Sequence, residues 1–183
     1  MFTKIVPFVA GLALSASIAA AATGERKDLQ VFNDVVKTVN RYTRFTIFDD
    51  VSASVRDGVV TLTGRVTMPY KRDDIVNRVA DVDGVREVRD NIGVLPVSTF
   101  DDELRIRVAR AIYGNPSFWD YAAMANPPIH IVVEHSRVTL TGVVRSDVDR
   151  ALARSLVTQF GVMSVTNDLK TDAEVREALE KSK

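Results

Sequence analysis

VSASVRDGVVTLTGRV, from Val51 to Val66, and IHIVVEHSRVTLTGVV, from Ile129 to Val144, decide the fold. The five letters VTLTG recur without change at Val60–Gly64 and Val138–Gly142, and the match extends outward from them. Val51, Ala53, Val55, Val60, Leu62 and Val66 align with Ile129, Ile131, Val133, Val138, Leu140 and Val144. Each set alternates with polar or smaller residues, the period of a half-buried strand. Asp57-Gly58 between the two runs is a strong two-residue hairpin signal. His135-Ser136 holds the same place in the second copy with poorer turn chemistry. Gly64 and Gly142 fall on the inward face, where a missing side chain permits close approach of backbone or helix. VTLTG is therefore half of a hairpin, used twice as scaffold.

The flanking segments repeat as well. After the hairpins come PYKRDDIVNRVADV, with Pro69 in the first turn and a stripe of Ile75, Val79 and Val82, and SDVDRALARSLVTQF, with Val148, Leu152 and Leu156. Ser146 with Asp149 three residues on is a variant capping box. Gly84 and Gly161 suit left-handed C-terminal caps. Third strands follow in VREVRDNIGV and VMSVTNDLKT. Ahead of the hairpins, DLQVFNDVVKTVNRY carries Leu29, Phe32, Val36 and Val39 at helical spacing, and FDDELRIRVARAIY carries Phe100, Leu104, Val108 and Ile112. Each unit thus reads αββαβ, an α+β design: a three-stranded mixed sheet with helices packed on one face. The units run over 28–96 and 98–171, with an insertion at 113–128. The tail, 172–183, is expected as a short helix opened by Thr171 and Glu174 in capping-box spacing. Units of about 70 residues bury only about 60% of their unfolded surface, so the two are expected to pack together.

MFTKIVPFVAGLALSASIAAAA, residues 1–22, has the charged start, short apolar run and small-residue end of a cleaved signal peptide. The run is shorter than the roughly 20 residues that cross a bilayer. With no cysteine in the chain, disulfides, thiolate metal sites and a lipid anchor on cysteine are excluded. Export to the periplasm without an anchor is the expectation. The 24 basic and 24 acidic residues cancel, and removing Lys4 with the leader leaves 23 against 24. A chain so balanced, with no basic block, has no electrostatic footprint for nucleic acid.

Catalytic chemistry finds no purchase. His130 and His135 are the only histidines, and HIVVEH has one residue too many for an inverted zinc-protease signature and lies on a strand. Both read as surface histidines. Of the pairs Asp49-Asp50, Asp73-Asp74 and Asp101-Asp102, the last two are expected in helix first turns, where negative charge complements the dipole. Nucleotide loops and nucleophile elbows are absent from the sequence. No catalytic residue, metal site or cofactor is expected. What scaffold leaves unexplained is YGNPSFWDYAAMANPP, Tyr113 to Pro128, with Phe118, Trp119 and Tyr121 close together. Two readings stand: the aromatics cover the second core, or they form a contact surface with Arg105, Arg107 and Arg110 of the preceding helix.

The two αββαβ units, the strands GVVTLTGRV and SRVTLTGVV, and the later Gly84-Val85 and Gly161-Val162 together resemble a tandem pair of BON domains, the bacterial osmotic-stress and nodulation module. With the leader, the whole is similar to exported, osmotically inducible two-BON proteins. The resemblance implies a non-enzymatic binding protein of the envelope, acting on anionic phospholipid surface or on exported client proteins; a structural adaptor within a larger assembly is the further alternative. It also implicates the first helix of the second unit in lipid binding, here Asp101 to Tyr113. The insertion is a departure from the family pattern. Oligomeric state is not legible in the sequence.

Overall fold

The repeat becomes a hairpin because both copies adopt the same left-handed turn. In a computed structural model, which describes residues 27–181, Asp57 and Gly58 have φ of 52° and 74°, and His135 and Ser136 have 52° and 61°. Two successive positive φ values define the type I′ turn that suits twisted strands. His135-Ser136 lacks the glycine that type I′ turns prefer at their second position. It is held from outside: Asp101, buried at a helix start, accepts hydrogen bonds from both turn amides, His135 N and Ser136 N, at 2.9 Å each. Asp28 does the same for Asp57 N (2.7 Å) and Gly58 N (3.0 Å). The repeat thus includes a carboxylate that ties helix start to hairpin.

The first unit consists of α1 (27–40), β1 (Asp50–Arg56), β2 (Val59–Val66), α2 (Pro69–Ala80) and β3 (Glu87–Val94). β1 pairs antiparallel with β2, and β3 lies parallel on β2's other side, giving the order β1-β2-β3. The second unit consists of α3 (Thr99–Tyr113), a 3-10 turn (Pro116–Phe118), α4 (Trp119–Ala122), β4 (Ile129–Glu134), β5 (Arg137–Val144), α5 (Asp147–Thr158), β6 (Ser164–Asn167) and β7 (Lys170–Thr171). β6 and β7 both run parallel to β5 in one register, Leu140 opposite Asn167 and Val143 opposite Lys170, so they are one broken third strand. The tail is α6 (Asp172–Lys181), where Thr171 and Glu174 exchange the two bonds of a capping box. This is the expected α+β fold in two repeated units with mixed sheets. The expected leader, 1–22, lies outside the described residues.

One core cluster fills each unit, with its helices on a single face of the sheet. Val60, Leu62, Val66, Ile75, Val79 and Ile92 are buried in the first; Val138, Leu140, Val144, Ile129, Ile131 and Ile112 in the second. Full burial of such a side chain contributes roughly 1.5–3 kcal/mol. Two helix stripes sit only partly where spacing put them, with Val39 of α1 buried and Leu152 and Leu156 of α5 packed against the second core. α1 buries Val31, Val35 and Val39, leaving Leu29 and Val36 exposed, and α5 buries Ala153 and Val157, leaving Val148 exposed. Phe100 is exposed too, though Leu104, Val108 and Ile112 follow the stripe. Gly84 and Gly161 have φ of 88° and 63°, but they stand beyond right-handed cap residues Asp81 and Gln159 and form the turn after the helix, not its cap. Gly64 and Gly142 have φ of 122° and 112°, and a Cβ on either would overlap the carbonyl oxygen of Asp50 or Pro128 on the adjacent strand. The backbone itself demands glycine there.

Where β2 and β5 give way to helices, the two units use different polar locks. In the first, fully buried Asp49 accepts from Thr67 N and Oγ1 (2.8 Å each), Thr46 N (2.9 Å) and Oγ1 (2.7 Å), and Lys71 Nζ (2.6 Å). Burial pushes the Asp49 carboxyl up, but the Lys71 ammonium and the threonine donors outweigh it and hold it below its usual range. In the second, the Tyr121 hydroxyl accepts from Arg145 N (2.7 Å) and donates to Asp149 (2.9 Å). Tyr121 takes the place of Asp49, and Asp149 that of Lys71. Asp73 and Asp74 lie past the first turn of α2, and Asp74 accepts from Tyr42 OH at 2.6 Å instead of serving the dipole.

The units meet end to edge. Ile131 N donates to Ile47 O at 2.7 Å, and His130 Nδ1 lies 2.6 Å from Asp49 O, so that nitrogen carries the proton. The His130 ring also lies against Phe45, with centroids 5.4 Å apart. Arg65 pairs with Glu134 at 3.6 Å across the same junction. His130 is thus a junction residue and no surface histidine, whereas His135 is exposed in its turn.

Candidate functional site

α3 starts on Ser98, whose hydroxyl accepts from Asp101 N, and packs Leu104, Val108 and Ile112 on the second sheet. Its remaining positions divide in a way that spacing does not show. Arg105 is only 6% exposed: it lies against the sheet, donates from Nη2 to Val133 O at 3.0 Å and pairs with Asp102. It satisfies an edge carbonyl of β4 and is withdrawn from any surface. Arg107 and Arg110 point outward, Arg107 with its guanidinium 5.8 Å from the Phe160 ring centroid. Ile106, which interrupts the basic positions, is 44% exposed.

The insertion splits its aromatics between the two readings. Phe118 and Tyr121 are buried in the second core, with ring centroids 5.7 Å apart. They cover the core and are unavailable as contacts. Trp119 stands between them in sequence and is 62% exposed, because the first turn of α4 turns successive side chains by about 100° and only one side of that turn faces the core. Met124 follows on the exposed side.

Between α3 and the insertion runs a shallow groove of about 620 Å³. Ile106, Ala109 and Tyr113 of α3 form one wall, Ile47 and Phe48 of the first unit a second, Ala122 and Pro127 of the insertion a third. Arg110 is the only charged group lining it. Tyr113 closes the floor: its hydroxyl donates to Ile129 O (2.6 Å) and accepts from Ile129 N (3.1 Å), and burial pushes its ionisation well up, so it stays neutral. The groove depends on tertiary structure, since Ile47 and Phe48 come from the other unit. A sequence signal did exist in Ile106, an apolar residue out of phase with the stripe of its own helix.

Of the expected contact residues, Arg107, Arg110 and Trp119 are exposed, Arg105, Phe118 and Tyr121 are interior, and Arg110 alone of the six lines the groove, together with Ile106. An apolar trough lined by a single guanidinium group, that of Arg110, can take acyl or apolar side-chain surface together with an anionic headgroup. Among the described residues no group of three or more His, Asp or Glu side chains is placed to hold a metal ion, and no helix is long and apolar enough to cross a membrane.

Comparison with known proteins gives a family and little beyond it. The family model described as BON domain matches residues 34–96 and again 101–173. No curated protein matches the chain. Among solved structures, CdsD, a structural protein of the type III secretion system of Chlamydia trachomatis, is similar at 15% identity and a TM-score of 0.27, covering 80% of this chain and 97% of that one. Its C-terminal domain is similar at 13% identity and a TM-score of 0.26, covering 74% and 96%.

Proposed function

This chain belongs to the BON domain family and carries the domain twice, and from that premise we propose that it is an exported, non-enzymatic binding protein of the bacterial envelope. It attaches reversibly to anionic phospholipid surface through the outer face of α3 and Trp119, in envelope maintenance under osmotic stress. BON domains are associated with phospholipid or membrane binding and are generally non-enzymatic. The observation that carries the reading is the groove: exposed Ile106 lines an apolar trough whose one charged lining residue is Arg110, and exposed Trp119 stands on α4, the short helix that supplies Ala122 to the wall. Apolar insertion supplies affinity, and the arginines select negative headgroups within a Debye length of about 8–10 Å.

Trp119 is the only tryptophan in the chain, so its emission reports this site alone. The chain from Thr23 onward is titrated with anionic, then neutral, vesicles. Emission moves blue with anionic vesicles and returns in salt. Emission unmoved by either vesicle refutes membrane attachment here. The uncharged length of the same groove favours a second reading, the holding of apolar segments of exported clients. In that case suppression of client aggregation persists in high salt and vesicles leave Trp119 unchanged.

A further inference from the structure

The two units finish their edge strands differently. A two-residue turn makes Arg56–Val59 and Glu134–Arg137 hydrogen-bonded pairs, so the N–H and C=O groups of 51, 53 and 55, and of 129, 131 and 133, point away from the sheet. On β4 four of these six groups have partners. Tyr113 OH serves both groups of Ile129, Ile47 O accepts from Ile131 N, and Arg105 donates to Val133 O. Ile129, Ile131 and Val133 are fully buried behind these partners. On β1 the helix positions equivalent to Arg105 and Tyr113 are Phe32 and Asn40, which offer no such closure. Among the described residues the outward groups of Val51, Ala53 and Val55 have no partner, and the three side chains are only half-buried. Open edges are templates for another strand.

β1's edge opens into a crevice of about 510 Å³ that continues the junction between the units. One wall is apolar: Val35, Val36 and Val39 of α1, with Val36 exposed. The opposite wall belongs to the second unit and carries His130, Thr141, Asp168 and Lys170. Two features there want a ligand. The Thr141 hydroxyl is buried and has no hydrogen-bond partner among the described residues. Asp50 and Asp168 line the junction end with no ion pair in the described residues, two carboxylates against the single ammonium of Lys170. Because His130 reaches across to Asp49 O, the second unit stands close to the start of β1 and walls that end of the crevice.

We infer that β1 receives an extended polypeptide segment as an added strand, apolar at alternate residues and basic at the end that meets Asp50 and Asp168. Its backbone pairs with Val51, Ala53 and Val55, its apolar side chains lie against Val36 and Val39, and a polar group meets Thr141. Strand addition of this kind draws affinity from main-chain bonds and specificity from alternate side chains. The site lies in the first unit, apart from Trp119, and does not depend on the membrane reading.

The probe is a fluorescein-labelled peptide of about eight residues, within the ordinary length of a strand, alternating valine and threonine with an arginine at each end. Binding to the full chain is followed by anisotropy, and amide hydrogen exchange is read at β1. Expected are saturable binding, slowed exchange at Val51, Ala53 and Val55, and unmoved Trp119 emission. A peptide N-methylated at its valines loses about tenfold or more in affinity, the worth of one or two net backbone hydrogen bonds. Val36→Lys, on the exposed helix surface, weakens the parent peptide without touching the fold. Three results overturn the proposal: equal binding of the N-methylated peptide, slowed exchange at the Ile47–Ile106 groove instead of β1, or protection of β1 that rises with protein concentration as the mass doubles, which makes the occupant a second copy.

Discussion

Replacing Asp49 by alanine tests the claim that one carboxylate fastens the first unit. Asp49 is fully buried, Lys71 is 6% exposed, and five hydrogen bonds end on the two carboxylate oxygens. The substitution strands a buried ammonium and removes the acceptor for two backbone amides. Breaking a buried pair from one side costs about 3–5 kcal/mol. Lys71→Met leaves Asp49 four donors and costs less, about 1–3 kcal/mol. Urea unfolding is followed by far-ultraviolet circular dichroism for the whole chain and by Trp119 emission for the second unit. In Asp49→Ala an early transition appears in the first signal, while the second holds its midpoint.

The same carboxyl sets a pH dependence. Its folded-state ionisation lies below the ordinary value of 3.8, so the stability it supplies is complete above about pH 4–5 and is lost as pH falls through the folded value. Asp49→Asn removes this dependence and leaves the first unit less stable at neutral pH. A loss under about 1 kcal/mol in Asp49→Ala, or an acid limb equally steep in Asp49→Asn, refutes the assignment.

Tyr121→Phe leaves Arg145 N and Asp149 without their shared hydroxyl and lowers second-unit stability by about 1–3 kcal/mol, read as an earlier Trp119 transition in urea. Gly142→Val and Gly64→Val each place a branched side chain at positive φ and against a strand carbonyl, so the altered unit fails to fold, seen as collapsed amide dispersion confined to that unit. Asp101→Ala destabilises its hairpin more than Asp28→Ala destabilises the other, because His135-Ser136 resists the left-handed turn that Asp57-Gly58 adopts readily; hydrogen exchange at the two turns ranks them. Trp119→Ala leaves the melting temperature in place and removes anionic-vesicle binding in a flotation assay, since the side chain is exposed.

Local patterns determined the repeated αββαβ order, the Asp57-Gly58 turn, the Ser146 N-cap and the capping box at Thr171, because each is set by residues a few positions apart, whereas the His135-Ser136 turn is held by Asp101 from the start of α3. The helix faces were legible only where a single apolar stripe exists, as in α2. In α1 and α5, neighbouring apolar pairs such as Val35-Val36 and Leu156-Val157 leave two faces about 100° apart, and the docking angle on the sheet chooses between them. The same limit governs the candidate site. Arginines at 105, 107 and 110 look alike along a helix, yet Arg105 is drawn inward because β4 is an edge strand whose carbonyl at Val133 needs a donor. Phe118, Trp119 and Tyr121 are equivalent in composition, and only the turn that seats them sends two into the core and one outward. The sequence by itself determined the hairpins, the repeat and the family resemblance, since these rest on short-range periodicity. Tertiary structure alone decided which strands end as edges, which polar groups close them and how the units meet at Ile47 and His130. Those outcomes depend on strand order and on residues more than eighty positions apart, a separation at which no sequence period carries information.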